Sequence, residues 1–301
     1  MATFNRSHLI KESLDSIHKQ TFKEWELLVI DDGSKDGTKE VVENYSRKDR
    51  RVTYHRRPEE HKKGLPGCRN YGLNISKGSF VVFFDDDDIA HPDNLMFCVN
   101  ELENKGVDYC RYLREVFRGQ FHENFDRSTN YKVSFLGMNN YEEMVLGDIP
   151  FNSCQVMWRK SCFLNNYFNE DLMYAEEWEC YLRILSQGLV GANIEKTLFY
   201  GRKHPNSNTG EYYNSDAVRK ESKSKAVKLV LDNLERKNLL SSSYKKHFVR
   251  LGFFLKDFSV VSKVLNVFGA GKFEKLKYAI GYYSYPLVKR YFNMITHLRW
   301  D

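Results

Sequence analysis

The sequence predicts an α/β fold in which a mainly parallel, mixed sheet is flanked by helices. Short apolar runs alternate with segments of helical periodicity in the first third of the chain, as is typical of β-α-β units. Two of the apolar runs end directly in acidic residues, at 31–32 and at 85–88. Because functional groups gather at the carboxyl ends of parallel strands, we expect both acidic segments to lie in a site.

The spacing of apolar and turn-forming residues predicts the individual elements. In order, these are a helix at 8–20, a strand at 25–30, a helix after 38, a strand at 52–55, a helix at 68–76 and a strand at 79–84. Residues 101–169 are rich in aromatic residues and Asn and show no clear periodicity. A helical pattern returns at 172–187 and dominates from 216 onward. We therefore expect two domains, 1–214 and a helical region 215–301, with a boundary near Asn214.

The composition argues against a membrane-spanning or a secreted protein. No apolar run approaches the roughly 20 residues that span a bilayer, and the first residues, MATFNRSHLIKESL, are polar where a secretory signal is apolar. Six cysteines lie far apart without a CxxC pair. This pattern indicates reduced thiols in a cytoplasmic protein, without a disulfide framework or a zinc site.

The positive charge of the chain is concentrated at its C-terminal end. The net charge is +6, yet residues 240–301 carry 11 Lys or Arg against 3 Asp or Glu, interleaved with 14 aromatic residues. Such a segment can lie on an anionic membrane face. It can equally be a helical subdomain with a basic outer surface, and both interpretations stay open. Nucleic-acid binding is disfavoured because no known motif is present.

Four consecutive aspartates after an apolar strand predict a metal–diphosphate site. The carboxylates of residues 85–88 repel one another, so a pKa should rise unless a cation compensates. Hard oxygen ligands suit Mg²⁺ or Mn²⁺. The alternative is a solvated acidic loop. The segment Glu176-Glu177-Trp178-Glu179 offers a second carboxylate group, which could supply a general base or only begin a helix favourably.

Five segments together resemble the inverting glycosyltransferases of family 2, which have the glycosyltransferase A fold. The matching stretches, in the order of that family, are residues 2–6 (ATFNR), 20–38, 68–72 (CRNYG), 77–88 and 168–183. The resemblance covers about two thirds of the chain. It implies a nucleotide-binding half built from the first strands and a transfer of sugar from a nucleotide-sugar donor.

The resemblance also implies roles for particular residues. The residues implied in binding the nucleotide sugar are Thr3, Asn5, Arg6, Asp32, Arg69, Asp85, Asp86 and Arg202. Asp85-Asp86-Asp87 matches the family's DxD motif, so Asp87 is expected to bind Mn²⁺ or Mg²⁺ directly, with Asp85 near the ribose and the ion. Arg202 and His204 match a basic loop that closes over the diphosphate, and His204 is a weaker candidate as a metal ligand.

The resemblance assigns the catalytic base to Glu177. This residue matches the second member of the family's Glu-Asp pair, with Glu176 as the alternative, because the family usually has Asp and Glu is one methylene longer. A second departure is at the start of the chain. The family's first strand normally begins several apolar residues before Thr3, so the first strand is expected to be missing or truncated here.

These inferences predict a metal-dependent, inverting transfer of one hexosyl unit. The expected donor is UDP-linked, the expected acceptor is a saccharide or lipid-linked saccharide, and bacterial surface polysaccharide is the implied destination. The protein is expected in the cytoplasm, with peripheral association at the inner face of the membrane. Two alternatives are a nucleotidyltransferase-like enzyme acting on sugar phosphates and a non-catalytic scaffold that retains the fold.

Overall fold

The computed structural model of the chain describes residues 1–204, 210, 212 and 216–297. It contains two compact units, Met1–Lys223 and Ser224–Asp301. The boundary expected near Asn214 lies outside the described residues, and that division of the chain stays a prediction.

The strands belong to the first unit. They are β1 (Ala2–Thr3), β2 (Leu27–Asp31), β3 (Val52–Arg56), β4 (Phe80–Val82), β5 (Ile89–Ala90), β6 (Tyr109–Phe117), β7 (Val133–Leu136), β8 (Val156–Arg159) and β9 (Gly191–Arg202). Its helices are α1 (Ile10–His18), α2 (Thr38–Lys48), α3 (Leu65–Ile75), α4 (Asn94–Lys105), α5 (Tyr141–Leu146) and α6 (Glu176–Leu185). The chain continues into α7 (Ala217–Arg236), α8 (Ser242–Leu255), α9 (Phe258–Val267) and α10 (Lys272–His297).

The first sheet is parallel and places the first acidic segment at its carboxyl edge. Its order is β1-β2-β3, with Thr3 opposite Asp31 and Asp31 opposite Arg56. Helices α1 and α2 supply the crossovers that parallel neighbours require. The apolar side chains of β2, Leu27 and Val29 among them, join the main core.

The second sheet is mixed and takes three of its six strands from the stretch without clear periodicity. Its order is β4-β8-β6-β9-β5, and β7 pairs with β9. The β6–β9 pair is parallel, whereas the other pairs are antiparallel. Register shifts interrupt β6 between Tyr112 and Arg114, which weakens the alternation that would have indicated a strand. The predicted fold class, an α/β fold with a mixed sheet, flanking helices and C-terminal helices, is confirmed. The mainly parallel pairing that was expected is found in the first sheet and in the β6–β9 pair, whereas the second sheet is otherwise antiparallel.

Two helices begin at different residues from those predicted, each for a local reason. Helix α3 begins at Leu65 instead of Cys68, because Pro66 is compatible with the first helical turn. Helix α6 begins at Glu176, four residues later than the apolar pattern suggested. The preceding Ala175 has a φ of 63°, and this left-handed conformation cannot continue a right-handed helix.

An apolar cavity of about 770 Å³ separates β2 from β4. Leu28 and Ile30 line it from one side, and Phe80 and Val82 line it from the other. Strand β1 has two residues, and the Met1 ammonium donates to the Leu28 carbonyl at 2.9 Å. The expectation that the first strand is incomplete stays a prediction.

The second unit is helical and has its own small core. Val261, Leu265 and Ala270 are buried there, and residues of α8 and α10 pack against them. Within the described part of the chain, no helix has the length and apolar character needed to cross a membrane.

Candidate functional site

The turn after β2 is held by a buried aspartate. Asp31 is 1% exposed. One of its carboxylate oxygens accepts hydrogen bonds from the Ser34 backbone N–H at 3.0 Å and hydroxyl at 2.5 Å, and the other accepts from the Tyr54 hydroxyl at 2.6 Å. Asp31 was not among the residues predicted to bind the nucleotide sugar. Its role is to fix the turn that presents the next residue, Asp32.

Asp32 is braced by the segment that leads into α3. Arg57 Nε donates to one carboxylate oxygen at 2.5 Å, and the backbone N–H of Gly64 donates to the other at 3.0 Å. Gly64 has a φ of 122°, a conformation that favours glycine. The two donors leave Asp32 a fixed anion at the carboxyl edge of the parallel sheet.

The first residues of the chain join this turn to the second acidic segment. Asn5 has a φ of 54°, its backbone N–H donates to Ser34 Oγ at 2.8 Å, and its side-chain oxygen accepts from the Lys35 N–H at 2.9 Å. The guanidinium of Arg6 lies 3.6 Å from the Asp86 carboxylate. Thr3 is buried beneath them. The predicted nucleotide-binding residues of the two strand ends therefore lie together.

The four aspartates after β4 occupy different environments. Asp85 is half-buried, whereas Asp86 and Asp88 are each 8% exposed. Burial raises the pKa of Asp86 to about 7, although the Thr3 hydroxyl and Arg6 favour its charged form. Burial and the neighbouring carboxylates also raise the pKa of Asp88 well above its usual range. Two of the four aspartates therefore have a raised pKa, of which burial is the first cause and the neighbouring carboxylates a further one.

Arg202 and His204 both reach this acidic segment from the end of β9. The Nε of Arg202 donates to the Asp87 carbonyl at 2.9 Å, and its backbone N–H donates to Asp88 Oδ1 at 2.7 Å. His204 Nε2 lies 2.7 Å from Asp87 Oδ2. The guanidinium of Arg202 also pairs with Glu12 of α1 at 2.6 Å. No sequence signal marked Glu12, because its partner is 190 residues away.

The donor set around the aspartates fits a hard divalent cation. Carboxylate oxygens of Asp85 and Asp87 are the ligands that Mg²⁺ and Mn²⁺ prefer, and the imidazole of His204 is already in contact with Asp87. Among the described residues, Asp85 also shares a cluster with Asp88 and Cys154, whose ligand atoms lie within 4.8 Å of one another. Burial raises the pKa of the Cys154 thiol. Cys154 would therefore offer a neutral sulfur, which is a poor ligand for these ions.

A buried guanidinium links the acidic segment to the start of α6. Arg69 of α3 is 5% exposed and lies 2.9 Å from Glu176 Oε1 and 3.5 Å from Asp85 Oδ1. The rings of Phe83 and Phe168 lie within 5.8 Å of it, in cation–π range. Burial opposes the charge of Arg69, but Glu176 and Asp85 raise its pKa above the ordinary value.

Glu176 and Glu177 face different surroundings. Glu176 is 3% exposed and bonded to Arg69. Burial and the adjacent Glu177 raise the pKa of Glu176 to about 8, whereas Arg69 lowers it. Glu177 instead lines a cavity of about 170 Å³ that opens beside α6. Adjacent positions on a helix point about 100° apart, which explains the difference.

The cavity at Glu177 combines aromatic walls with one cation. Tyr174 and Trp178 line it together with Lys223, whose ammonium lies 3.8 Å above the Trp178 ring. Burial lowers the pKa of Lys223 to about 8, and the nearby carboxylates of Glu177 and Glu176 oppose that shift. Aromatic faces beside a carboxylate can hold a sugar ring with a hydroxyl toward the base. Sequence reasoning missed Lys223, since nothing distinguishes it from the other lysines of its charged segment.

Comparison with protein families matches residues 1–163 to the model described as Glycosyl transferase family 2. The chain is 44% identical over 86 residues to the GalNAc(5)-diNAcBac-PP-undecaprenol beta-1,3-glucosyltransferase of Campylobacter jejuni, which covers 29% of this chain and 28% of that relative. The chain spans between 27% and 33% of the length of this and two further curated glycosyltransferases that it matches.

Two solved structures share the fold. The crystal structure of S. aureus TarS residues 1–349 in complex with UDP-GlcNAc aligns with a TM-score of 0.67 and 20% identity, over 88% of this chain and 77% of that one. The mannosyltransferase PcManGT of Pyrobaculum calidifontis, in complex with GDP-Man and Mn²⁺, aligns with a TM-score of 0.55 and 15% identity, over 98% and 81%.

Proposed function

The chain belongs to glycosyl transferase family 2, and on that premise we propose that it transfers one sugar from a nucleotide-sugar donor to a hydroxyl of a saccharide or lipid-linked acceptor, with inversion. The Campylobacter relative is named for an undecaprenol-linked acceptor, which supports a lipid-linked acceptor here. The TarS complex contains UDP-GlcNAc, which supports a UDP-linked donor.

The observation that carries the proposal is the link made by Arg69. Its guanidinium touches Asp85 of the acidic segment and Glu176 at the start of α6. This bridge fixes the segment that would meet the donor diphosphate beside the cavity lined by Glu177. An attacking hydroxyl and a leaving diphosphate need such neighbouring sites, because orientation supplies much of the rate of a two-substrate reaction.

On the donor side, we assign nucleotide binding to the residues gathered around the two strand ends: Thr3, Asn5, Arg6, Asp32, Asp85, Asp86 and Arg202. The guanidinium of Arg69 is already engaged by Asp85 and Glu176, so we assign Arg69 to positioning these two side chains. Asp87, Asp85 and His204 would hold Mn²⁺ or Mg²⁺, and such an ion would neutralise charge on the leaving diphosphate. The PcManGT complex contains Mn²⁺, which supports the use of a divalent ion here.

On the acceptor side, we assign the base to Glu177. Its carboxylate would take the proton of the acceptor hydroxyl while that oxygen attacks the anomeric carbon from the face opposite the diphosphate. The bond from the anomeric carbon to the phosphate oxygen breaks, and the nucleoside diphosphate leaves with the electron pair. Glu176 is occupied by Arg69, which favours Glu177 over Glu176 for the proton transfer.

A lipid-linked acceptor requires contact with a membrane. The basic, aromatic residues 240–301 are suited to an anionic lipid surface. We therefore propose peripheral association at the cytoplasmic face, with this segment nearest the lipid.

Calorimetric titration of UDP in Mn²⁺ and then in EDTA tests the proposal. We expect UDP to bind with micromolar affinity in Mn²⁺ and EDTA to remove this binding. Titration of a panel of UDP-sugars should then show which donor the chain selects. Asp49→Asn, which alters an aspartate paired with Arg51 at the end of α2, should bind UDP like the unaltered chain. Absence of binding of both UDP and GDP in Mn²⁺ would contradict the proposal.

A further inference from the structure

Helix α10 is apolar on two opposite sides over its first three turns. On the inner side, Tyr278 and Tyr282 pack against the buried core of the second unit, formed by Val261, Leu265 and Ala270. This side accounts for the attachment of α10 to its own unit and explains two of the four aromatic residues in these three turns.

The opposite side carries large apolar residues that the described chain leaves exposed. We call this set the outer stripe, and its exposed fractions are 90% for Phe273, 57% for Leu276, 60% for Ile280 and 67% for Tyr283. Tyr283 is at the margin of the stripe, since its ring also lies 5.4 Å from that of Phe258. With 3.6 residues per turn, the four positions fall within an arc of about 80°, roughly opposite the inner tyrosines. A contiguous apolar surface of this kind marks an interaction site more often than scattered exposed residues do.

The charges beside the outer stripe are positive. Lys272 and Lys277 are exposed and lie within about 40° of its two borders on the helical wheel. Glu274, the one acidic residue in the sequence of these turns, is paired with Lys245 at 2.7 Å. An apolar strip with lysines on both borders matches an anionic lipid surface, where acyl chains meet the strip and headgroups meet the ammonium groups.

We propose that the outer stripe, with Lys272 and Lys277, is the surface through which the chain binds an anionic lipid bilayer. The helix would lie in the plane of the interface. The inference deepens the proposed function, because it rests on the membrane contact that a lipid-linked acceptor requires. A second copy of the chain is the less suitable partner, since pairing two such stripes would gather lysines without acidic groups to meet them.

Flotation of the full chain with lipid vesicles tests the surface. The chain should float with vesicles of phosphatidylglycerol and phosphatidylcholine and far less with phosphatidylcholine alone. The double variant Leu276→Glu, Ile280→Glu should lose about tenfold or more of the binding, because two carboxylates would enter the apolar layer. The variant Lys272→Glu, Lys277→Glu should weaken binding to the anionic vesicles but not to the phosphatidylcholine vesicles. Val218→Glu, at a residue 57% exposed in α7, is the matched control and should bind normally.

UDP titration and light scattering on the same variants separate the outcomes. The Leu276→Glu, Ile280→Glu variant should bind UDP in Mn²⁺ as the unaltered chain does, which also reports that it folds. Stripe-dependent flotation without any nucleotide binding would contradict the proposed function and keep the lipid surface. Flotation that the double variant retains, or no flotation of the unaltered chain, would overturn the inference. A dimer that the double variant dissociates, without vesicle binding, would assign the stripe to self-association.

Discussion

The two adjacent glutamates at the start of α6 illustrate how one residue of offset separates two roles. Glu176 is enclosed and bonded to Arg69, whereas Glu177 lines a cavity large enough for part of a sugar. A buried carboxyl group that accepts a hydrogen bond from a guanidinium serves to position its neighbours. One facing a cavity can exchange a proton with a ligand.

Glu177→Gln should therefore retain UDP binding and lose about 10²–10⁴-fold of the transfer rate, because the amide cannot take the acceptor proton. The measurement is single-turnover sugar transfer together with UDP calorimetry. Glu179→Gln, on the same helix and bonded to Arg183, is the control. If Glu176→Gln abolishes transfer while Glu177→Gln is active, the base is Glu176.

Asp87→Asn should weaken UDP binding in Mn²⁺ by about tenfold or more, because a carboxamide is a poorer ligand for a hard cation. His204→Ala should show a smaller effect in the same direction, as His204 touches Asp87. If UDP binding depends on Mn²⁺ equally in Asp87→Asn and in the unaltered chain, Asp87 is not a ligand of the ion.

The raised pKa of Glu176 predicts a pH dependence of stability. The folded chain holds this proton up to about pH 8, whereas the usual pKa is 4.5. Between these values the folded state binds more protons than the unfolded state, so this group makes stability fall as pH rises. Glu176→Gln should lessen the fall in melting temperature between about pH 5 and pH 8 and should differ least from the unaltered chain at the acid end. Parallel melting curves across this range would contradict the assignment.

At the scale of elements, two glycines of α3 differ in the space that a side chain would have. A Cβ on Gly67 would lie 2.0 Å from the Lys62 carbonyl oxygen, which no small shift relieves. A Cβ on Gly72 would meet Ile30 at 3.5 Å, an ordinary contact. Glycine is therefore required at the first position and only tolerated at the second.

Gly72→Ala should raise the free energy of unfolding by about 0.5–1 kcal/mol, because alanine favours the helix and restricts the unfolded chain. Gly67→Ala should lower it by about 1–3 kcal/mol through overpacking. Urea titrations of both variants measure the difference. Destabilisation by Gly72→Ala comparable to that of Gly67→Ala would show that the cavity wall at Ile30 does not accept the methyl group.

Local patterns predicted the elements in which the spacing of apolar residues matches the burial of the element. Strand β2 is a continuous apolar run because it is buried in a parallel sheet, and α6 shows an apolar helical face. Strand β4 was predicted, but the other strands of the second sheet escaped prediction because register shifts and long-range pairing decide them. Their partners are tens of residues away, and no local signal specifies such pairing.

At the scale of the whole molecule, the excess of positive charge in residues 240–301 predicts a salt-dependent membrane contact. Raising salt from about 0.05 M to about 0.5 M shortens the screening length to a few ångströms and should reduce vesicle binding severalfold. Flotation at each salt concentration provides the measurement, with phosphatidylcholine vesicles as the control. Binding that is unchanged across this range would leave the apolar stripe as the sole contributor.

The sequence by itself determined the family, the fold class and the two acidic strand ends, because these depend on short segments whose order and composition are local properties. The tertiary structure decided which groups meet. It placed Arg69 between Asp85 and Glu176, Arg202 against Glu12, and Lys223 over Trp178. Those contacts join residues far apart in the chain, and burial shifts the pKa values of Glu176 and Lys223. Burial is a property of the packed molecule, which no single segment carries.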